Sequence, residues 1–124
     1  MRLAYVDTSC LVAIAFGEPG HQVLARRLAG FDRLLTSNLT EAELRAALRR
    51  EKVDGPGRLL DEITWVFPDR VLTAEYERIL SGGYMKGADL FHLACALYLR
   101  SRLGELTFET VDQRQVAAAR ALGM

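Results

Sequence analysis

The chain has 124 residues, with 16 Lys and Arg against 16 Asp and Glu, and 50% of its residues are apolar. This length predicts one domain over residues 1–124, and ordinary apolar content with zero net charge excludes bulk disorder. No apolar run approaches the ~20 residues that span a bilayer, Asp7 interrupts any leader, and Cys10 and Cys95 lie far apart. We therefore expect a reduced, cytoplasmic protein with no membrane association, on which any polyanion would meet a local basic face.

Short apolar runs alternate with helical spacings along the chain. In chain order they predict a strand at Leu3–Val6, helices at Thr8–Phe16 and Pro19–Ala29, a strand at Phe31–Thr36, helices at Asn38–Lys52 and Gly55–Trp65, a strand at Asp69–Thr73 with a helix then running to Leu80, a helix at Lys86–Leu103, a strand at Leu106–Val111 and a helix at Gln113–Leu122. This alternation predicts an α/β fold with a mostly parallel sheet covered on both faces. Sites in such folds form beyond the carboxyl ends of the strands.

Two aspartates follow predicted strands directly. Asp7 comes after the first strand and Asp112 comes after the last, and each precedes a helix. Both positions suit an N-cap, because a carboxylate there accepts hydrogen bonds from the first helical amides. Both also suit a carboxylate at the functional edge of the sheet, and the sequence leaves the two interpretations open.

Glu43 lies on the apolar stripe of its predicted helix. Its helical neighbours are Leu39, Ala42, Ala46 and Ala47, which places the carboxylate toward the core. A capping box between Thr40 and Glu43 is one explanation. The other is a carboxylate held in low dielectric by a cation or by hydrogen-bond partners.

Asp89 opens the longest predicted helix, and His92 follows three residues later on the same face. A first-turn acid is favoured by the helix dipole, and Lys86 lies near enough for an ion pair. An Asp-x-x-His metal pair is possible, but we interpret His92 as a packed histidine that is hydrogen-bonded to a neighbour.

Together the four acids suggest a metal site. In a parallel α/β fold all four can converge at one edge, where like charges repel unless a cation neutralises them. Oxygen ligands without a Cys/His cluster indicate Mg²⁺, with Mn²⁺ as an alternative, and do not indicate zinc. Ions of this kind engage phosphate oxygens and activate water, as phosphodiester hydrolysis requires.

With these acids in place, the chain resembles a PIN-domain protein, most closely a VapC-type toxin ribonuclease, over nearly its whole length. Four segments carry the likeness in order: "YVDTSCLVAIAFGEPG" with Asp7 and Ser9, "TSNLTEAELRAALRR" with Glu43, "KGADLFHLACALYL" with Asp89, and "LTFETVDQRQVAAARALGM" with Thr110 and Asp112. The resemblance implies a PIN-like three-layer α/β/α sandwich with a central, mostly parallel sheet of four or five short strands.

The same resemblance implies an acidic Mg²⁺ pocket that cuts single-stranded or looped RNA. It implies that Asp7 and Asp89 bind the metal directly, and that Glu43 and Asp112 act through water or help to activate the nucleophile. Ser9 and Thr110 would orient the carboxylates. A VapB-like antitoxin that blocks the pocket, and a homodimer, are also implied. Glu109 replaces the apolar residue common at its position. It suits a solvated strand-edge residue or an additional acid near the pocket, and we favour the solvated residue.

Substrate contacts are less specific. The basic end of the Glu43 helix (Arg45, Arg49, Arg50 and Lys52) suits either a phosphate-binding face or a solvated helix terminus. Tyr84 lies in a glycine-flanked loop, as a base-stacking residue or simply a loop aromatic. We predict Trp65 and Phe67 in the core or at a dimer interface, and both cysteines as small core residues.

Other functions fit less well. A phosphoacceptor receiver domain needs an Asp ending a mid-chain strand and a Lys near the last one, and here the central acid is Glu43 on a helix. No Gly-x-Ser-x-Gly elbow, P-loop or Gly-x-Gly-x-x-Gly motif occurs. The remaining alternative is a non-catalytic PIN-like scaffold that binds RNA or a protein without cutting.

Overall fold

The computed structural model describes residues 1–54 and 60–124. Within these ranges the elements are β1 (Leu3–Val6), α1 (Thr8–Ala15), α2 (His21–Ala29), β2 (Arg33–Ser37), α3 (Asn38–Arg50), β3 (Ile63–Val66), α4 (Thr73–Leu80), α5 (Gly87–Leu103), β4 (Thr107–Glu109) and α6 (Gln113–Ala121). Most predicted elements are therefore confirmed to within a few residues.

The four described strands form one parallel sheet in the order β3-β2-β1-β4. Strand β1 is central, since it pairs with β2 on one side and β4 on the other. Its short run of Ala4, Tyr5 and Val6 is fully buried, as expected for a strand covered on both faces. The carboxyl ends of the strands meet at one edge, and this places Asp7 in the middle of that edge.

Helices cover both faces of the sheet. On one face, Tyr5 and Phe108 pack with residues of α4, α5 and α6, and on the other face Val6 and Ile63 pack with residues of α1, α2 and α3. Helix α5 is buried on nearly every side from His92 to Leu99, which explains its almost continuously apolar sequence. The three-layer α/β/α sandwich is confirmed.

The prediction of a helix over Gly55–Trp65 is wrong in its second part. Ile63–Val66 form β3, which pairs in parallel with β2, while residues 55–59 lie outside the described ranges. The segment Ile-Thr-Trp-Val is β-branched and aromatic, and such side chains suit a half-buried strand once a neighbouring strand is available.

The prediction of a strand over Asp69–Thr73 is also wrong. Residues 69–72 form a loop, and Thr73 already begins α4. Side chains from α5 hold this loop, because the Asp69 carboxylate accepts hydrogen bonds from the Tyr98 hydroxyl at 2.8 Å and from Arg102 at 2.9 Å. These bonds replace the ladder that a strand would have made.

Candidate active site

Asp7 takes both of the roles that the sequence left open. It is the N-cap of α1, where its Oδ2 accepts a hydrogen bond from the Ser9 amide at 3.1 Å. It is also buried at the carboxyl edge of the sheet, with only 4% of its surface exposed. A buried carboxylate needs donors, and a second one comes from the Gln115 side-chain amide, which donates to Oδ1 at 3.2 Å.

Ser9 and Thr110, which the resemblance implied as residues that orient the carboxylates, both lie beside Asp7. Their hydroxyl oxygens are 3.2 Å apart, and Thr110 Oγ1 is 3.4 Å from Asp7 Oδ2. The Thr110 hydroxyl has one proton, and its shorter contact, at 2.7 Å, is with Gln115 Oε1. Thr110 therefore orients Asp7 mainly through Gln115.

Gln115 is the residue of this site that sequence reasoning missed. It is fully buried, and its amide nitrogen donates to Asp7 Oδ1 at 3.2 Å and to the Asp89 carbonyl at 3.3 Å. One side chain thus joins the ends of β1 and β4 to the start of α5. The available signal was a glutamine on the inward face of α6, four residues before the buried Ala119.

Asp89 and Asp112 complete a group of three aspartates at this edge. Asp89 lies in the first turn of α5 and Asp112 is the N-cap of α6, where its Oδ1 accepts from the Arg114 amide at 2.8 Å and the Gln115 amide at 3.3 Å. Partial burial raises the pKa of Asp89, and so do the negative charges of Asp7 and Asp112. The three carboxylates are therefore close enough to repel one another.

Glu43 is held on the other side of Asp7. Its Oε1 accepts from His92 Nε2 and from the Thr8 hydroxyl, each at 2.8 Å. The bond from His92 lowers the pKa of Glu43, as does the bond from Thr8, in opposition to partial burial. Thr40 hydrogen-bonds to Thr36 and Thr8 instead, so the capping-box explanation for Glu43 is wrong.

His92 is a packed histidine, as interpreted from the sequence. Its ring is buried, with Nδ1 2.7 Å from the Tyr5 hydroxyl and Nε2 bound to Glu43. With Nε2 as the donor to Glu43, Nδ1 accepts from Tyr5. Because Nε2 is also 3.9 Å from Asp7 Oδ1, His92 lies between Glu43 and Asp7.

The donor types suit a hard divalent cation. Carboxylate oxygens are the ligands that Mg²⁺ and Mn²⁺ prefer, and a cation would relieve the repulsion that raises the pKa of Asp89. The side chains do not yet enclose an ion: within residues 1–54 and 60–124, no three His, Cys, Asp or Glu side chains are clustered tightly enough to hold one. The residues fit the metal by the chemistry of their donor atoms.

The interpretation of Glu109 as a solvated residue is wrong. Only 3% of its surface is exposed, because β4 pairs with β1 and Glu109 lies opposite Val6. Burial raises the pKa of Glu109, and the ion pair with Arg27 at 3.1 Å opposes that shift. Its carboxylate faces Arg27 on α2 and stays apart from the hydrogen bonds of Asp7.

The sequence predictions for the cysteines, for two aromatic residues and for the basic end of α3 have different outcomes. Both cysteines are buried and free, and burial raises the pKa of each thiol to about 12. Phe67 is 65% exposed, so it does not lie in the core and its place at a dimer interface stays a prediction, whereas Trp65 packs against the core. At the basic end of α3, Arg45 pairs with Glu41 and Arg50 with Glu51, which weakens the case for a phosphate-binding face there.

The fold and the acidic edge of the sheet together define a class of protein, and comparison with known families gives that class its name. The sequence model of the PIN domain matches residues 4–121, and the chain therefore belongs to the PIN domain family. PIN domains are commonly nucleases that need metal ions and bind nucleic acid. A comparison with curated proteins returned no match. No helix in the described part of the chain is long and apolar enough to cross a membrane.

Proposed function

We propose that this protein is a Mg²⁺-dependent endoribonuclease of the VapC toxin type, with Mn²⁺ as a possible substitute. The observation that carries the proposal is the convergence of Asp7, Asp89 and Asp112 at the carboxyl edge of the sheet. Gln115 joins them, because its side-chain amide donates to Asp7 Oδ1 and to the Asp89 carbonyl, and its backbone amide donates to Asp112 Oδ1. Like charges held close together destabilise the folded state, so stability does not explain why these carboxylates share one edge. A bound cation would neutralise these charges and could contact a phosphodiester, which explains the arrangement.

In this proposal Asp7 and Asp89 bind the metal, which polarises the phosphate and its attacking water when bound. Asp7 is oriented by Ser9, Thr110 and Gln115, so its carboxylate is ready before substrate arrives. Asp112 uses Oδ1 to cap α6, and its Oδ2 accepts no hydrogen bond from the described residues, so we assign Oδ2 to the metal-bound water.

Glu43 would serve as the proton acceptor for water. Its lowered pKa keeps it ionised at neutral pH, and the bonds from His92 and Thr8 both go to Oε1. The second oxygen, Oε2, accepts no hydrogen bond from the described residues, and it is the atom that we assign to the water.

A cleavage assay tests the proposal. Purified protein is incubated with mixed tRNA and rRNA, with Mg²⁺, Mn²⁺ or EDTA, and Asp89→Asn is the matched variant because it keeps the side-chain size. We expect metal-dependent cuts at a few positions in wild type and none in the variant, with circular dichroism unchanged. Equal cutting by Asp89→Asn would contradict the assignment.

Metal binding gives a second readout on the same samples. A ligand that binds only the folded state stabilises it, so Mg²⁺ is expected to raise the melting temperature of wild type and to leave that of Asp89→Asn unchanged. Metal binding without cleavage of any RNA would favour the alternative function, a non-catalytic PIN-like scaffold.

The proposal includes a VapB-like antitoxin and a homodimer, both of which rest on the resemblance of the sequence to VapC-type toxins. Light scattering on the purified chain tests the dimer, and a monomer at all concentrations would contradict it. Expression in bacterial cells tests the toxin assignment, because wild type is expected to arrest growth and Asp89→Asn is not.

A further inference from the structure

A groove runs along α6 beside the candidate active site. It has a volume of about 550 Å³ and lies between α6 and the segment that joins α4 to α5. Arg78, Tyr84 and Arg114 line it, and the small side chains of Ala117 and Ala121 leave room between them. We call this surface the α6 groove.

The charge of the α6 groove is positive. Arg78 and Arg114 contribute two guanidinium groups, the lining contains no Asp or Glu, and neither arginine forms a salt bridge with any described residue. Two other grooves of similar volume differ, because one contains Glu105 and another contains Asp32 and Glu62. In a chain of zero net charge, such a cationic groove suits a polyanion.

Tyr84 adds an aromatic surface to this groove. Its side chain is 77% exposed, and the loop that carries it leads into α5, which is largely buried. Exposed aromatic rings beside cationic side chains are the usual means by which proteins bind single-stranded nucleic acid, because every base can stack on them. A duplex would hide its bases from Tyr84.

Both walls of the groove lead to the acidic edge. The Arg114 amide donates to Asp112 Oδ1 at 2.8 Å, and Tyr84 lies three residues before the start of α5, whose first turn carries Asp89. The Arg114 end of the groove therefore lies next to Asp112, one of the three aspartates.

We propose that the α6 groove binds the single-stranded RNA that flanks the cleaved bond, with Arg78 and Arg114 on its phosphates and Tyr84 stacked on a base. This inference rests on the proposed ribonuclease function and adds to it the path of the substrate. It also places the phosphate contacts on α4 and α6, whereas the sequence had offered the basic end of α3 as either a phosphate-binding face or a solvated helix terminus.

Binding of a fluorescent single-stranded RNA oligonucleotide tests the proposal. The measurement uses anisotropy with Mg²⁺ in the non-cleaving Asp89→Asn background, so that binding is separated from cutting. We expect Arg114→Gln and Tyr84→Ser each to weaken binding roughly fivefold or more. Arg114→Gln should also reduce the salt dependence by about one phosphate contact, and Arg114→Lys should retain it.

Arg49→Gln on α3 is the matched control, since it removes the same charge from the rival basic face. We expect its RNA affinity to equal that of the parent. All of these side chains are exposed, so melting temperatures should not change. A loss of affinity in Arg49→Gln but not in Arg114→Gln would overturn the proposal.

Failure of the groove and failure of the nuclease function give different results. If wild type cuts RNA and the groove variants keep both RNA affinity and KM, the α6 groove does not bind the RNA and the inference is wrong. If RNA binding depends on Arg114 and Tyr84 but wild type cuts nothing, the groove stands and the proposed catalysis is wrong.

Discussion

Most of the acidic side chains at the sheet edge are held by their own hydrogen bonds. Asp7 is both an N-cap and the most buried of the three aspartates, and Glu43 is bound to the buried His92. The sequence could single out these acids, because Asp7 and Asp112 follow predicted strands and Asp89 lies in the first turn of a helix. Glu43 stood out by its place on the apolar stripe of α3. Their partners were not predictable from sequence, since Gln115 and His92 approach from elements that are far away along the chain.

Asp89 gives a pH-dependent prediction. Because its pKa is raised in the folded state, its contribution to stability is complete below the unfolded value of about 3.9 and is lost as pH rises through the folded value. We therefore expect Asp89→Asn to melt above wild type at about pH 7 in EDTA, with the difference shrinking toward about pH 4. Equal melting temperatures at neutral pH would contradict the repulsion among the aspartates.

Gln115 gives a prediction about metal affinity. Gln115→Met keeps the volume but removes both donors, which takes from Asp7 Oδ1 its hydrogen bond and breaks the link to the Asp89 carbonyl. We expect Mg²⁺ binding about 10- to 100-fold weaker, measured by calorimetry, in a protein with native circular dichroism. Gln113→Met on the exposed side of the same helix is the control and should bind Mg²⁺ as wild type does.

At the level of elements, α6 begins at a residue that caps the helix and that we propose also serves the active site. The Asp112 carboxylate accepts two amide hydrogen bonds at the start of the helix, and the sequence predicted this helix closely. The two wrong elements, in contrast, lie around β3, where pairing with β2 and contacts from α5 decide the conformation. Such contacts are not encoded in local periodicity.

Two variants of Asp112 separate its roles. Asp112→Ala removes the cap and should lower the free energy of unfolding by about 1 kcal/mol, measured by urea denaturation. Asp112→Ser keeps a capping oxygen and should retain most of that stability. Both variants lack the carboxylate and should lose cleavage, and full activity in Asp112→Ser would show that only capping matters.

At the scale of the whole molecule, α5 connects the core to the acidic edge. Its first turn carries Asp89, and the buried residues that follow pack against the sheet and the neighbouring helices. Leu93 and Leu103 lie on the same helix with 0% and 51% exposure, which makes them a matched pair.

Replacing each leucine of this pair with alanine measures how much burial in the core contributes to the free energy of unfolding. Leu93→Ala removes fully buried methyl groups and should lower the free energy of unfolding by about 2–5 kcal/mol. Leu103→Ala should change it by less than about 0.5 kcal/mol, because that side chain is largely in water. Urea denaturation of the two variants checks both values, and similar losses would contradict the central position of α5.

The sequence by itself determined the α/β class, most helices, and the set of acidic residues that we expected at one edge. It could do so because helix caps, apolar periodicity and the strand-acid-helix order are local properties of the chain. Only the tertiary structure decided that Gln115 links Asp7 to Asp89, that His92 holds Glu43, that Glu109 is buried against Arg27, and that Ile63–Val66 form a strand. Each of these depends on sheet order and on side chains brought together from distant positions, which no local pattern specifies.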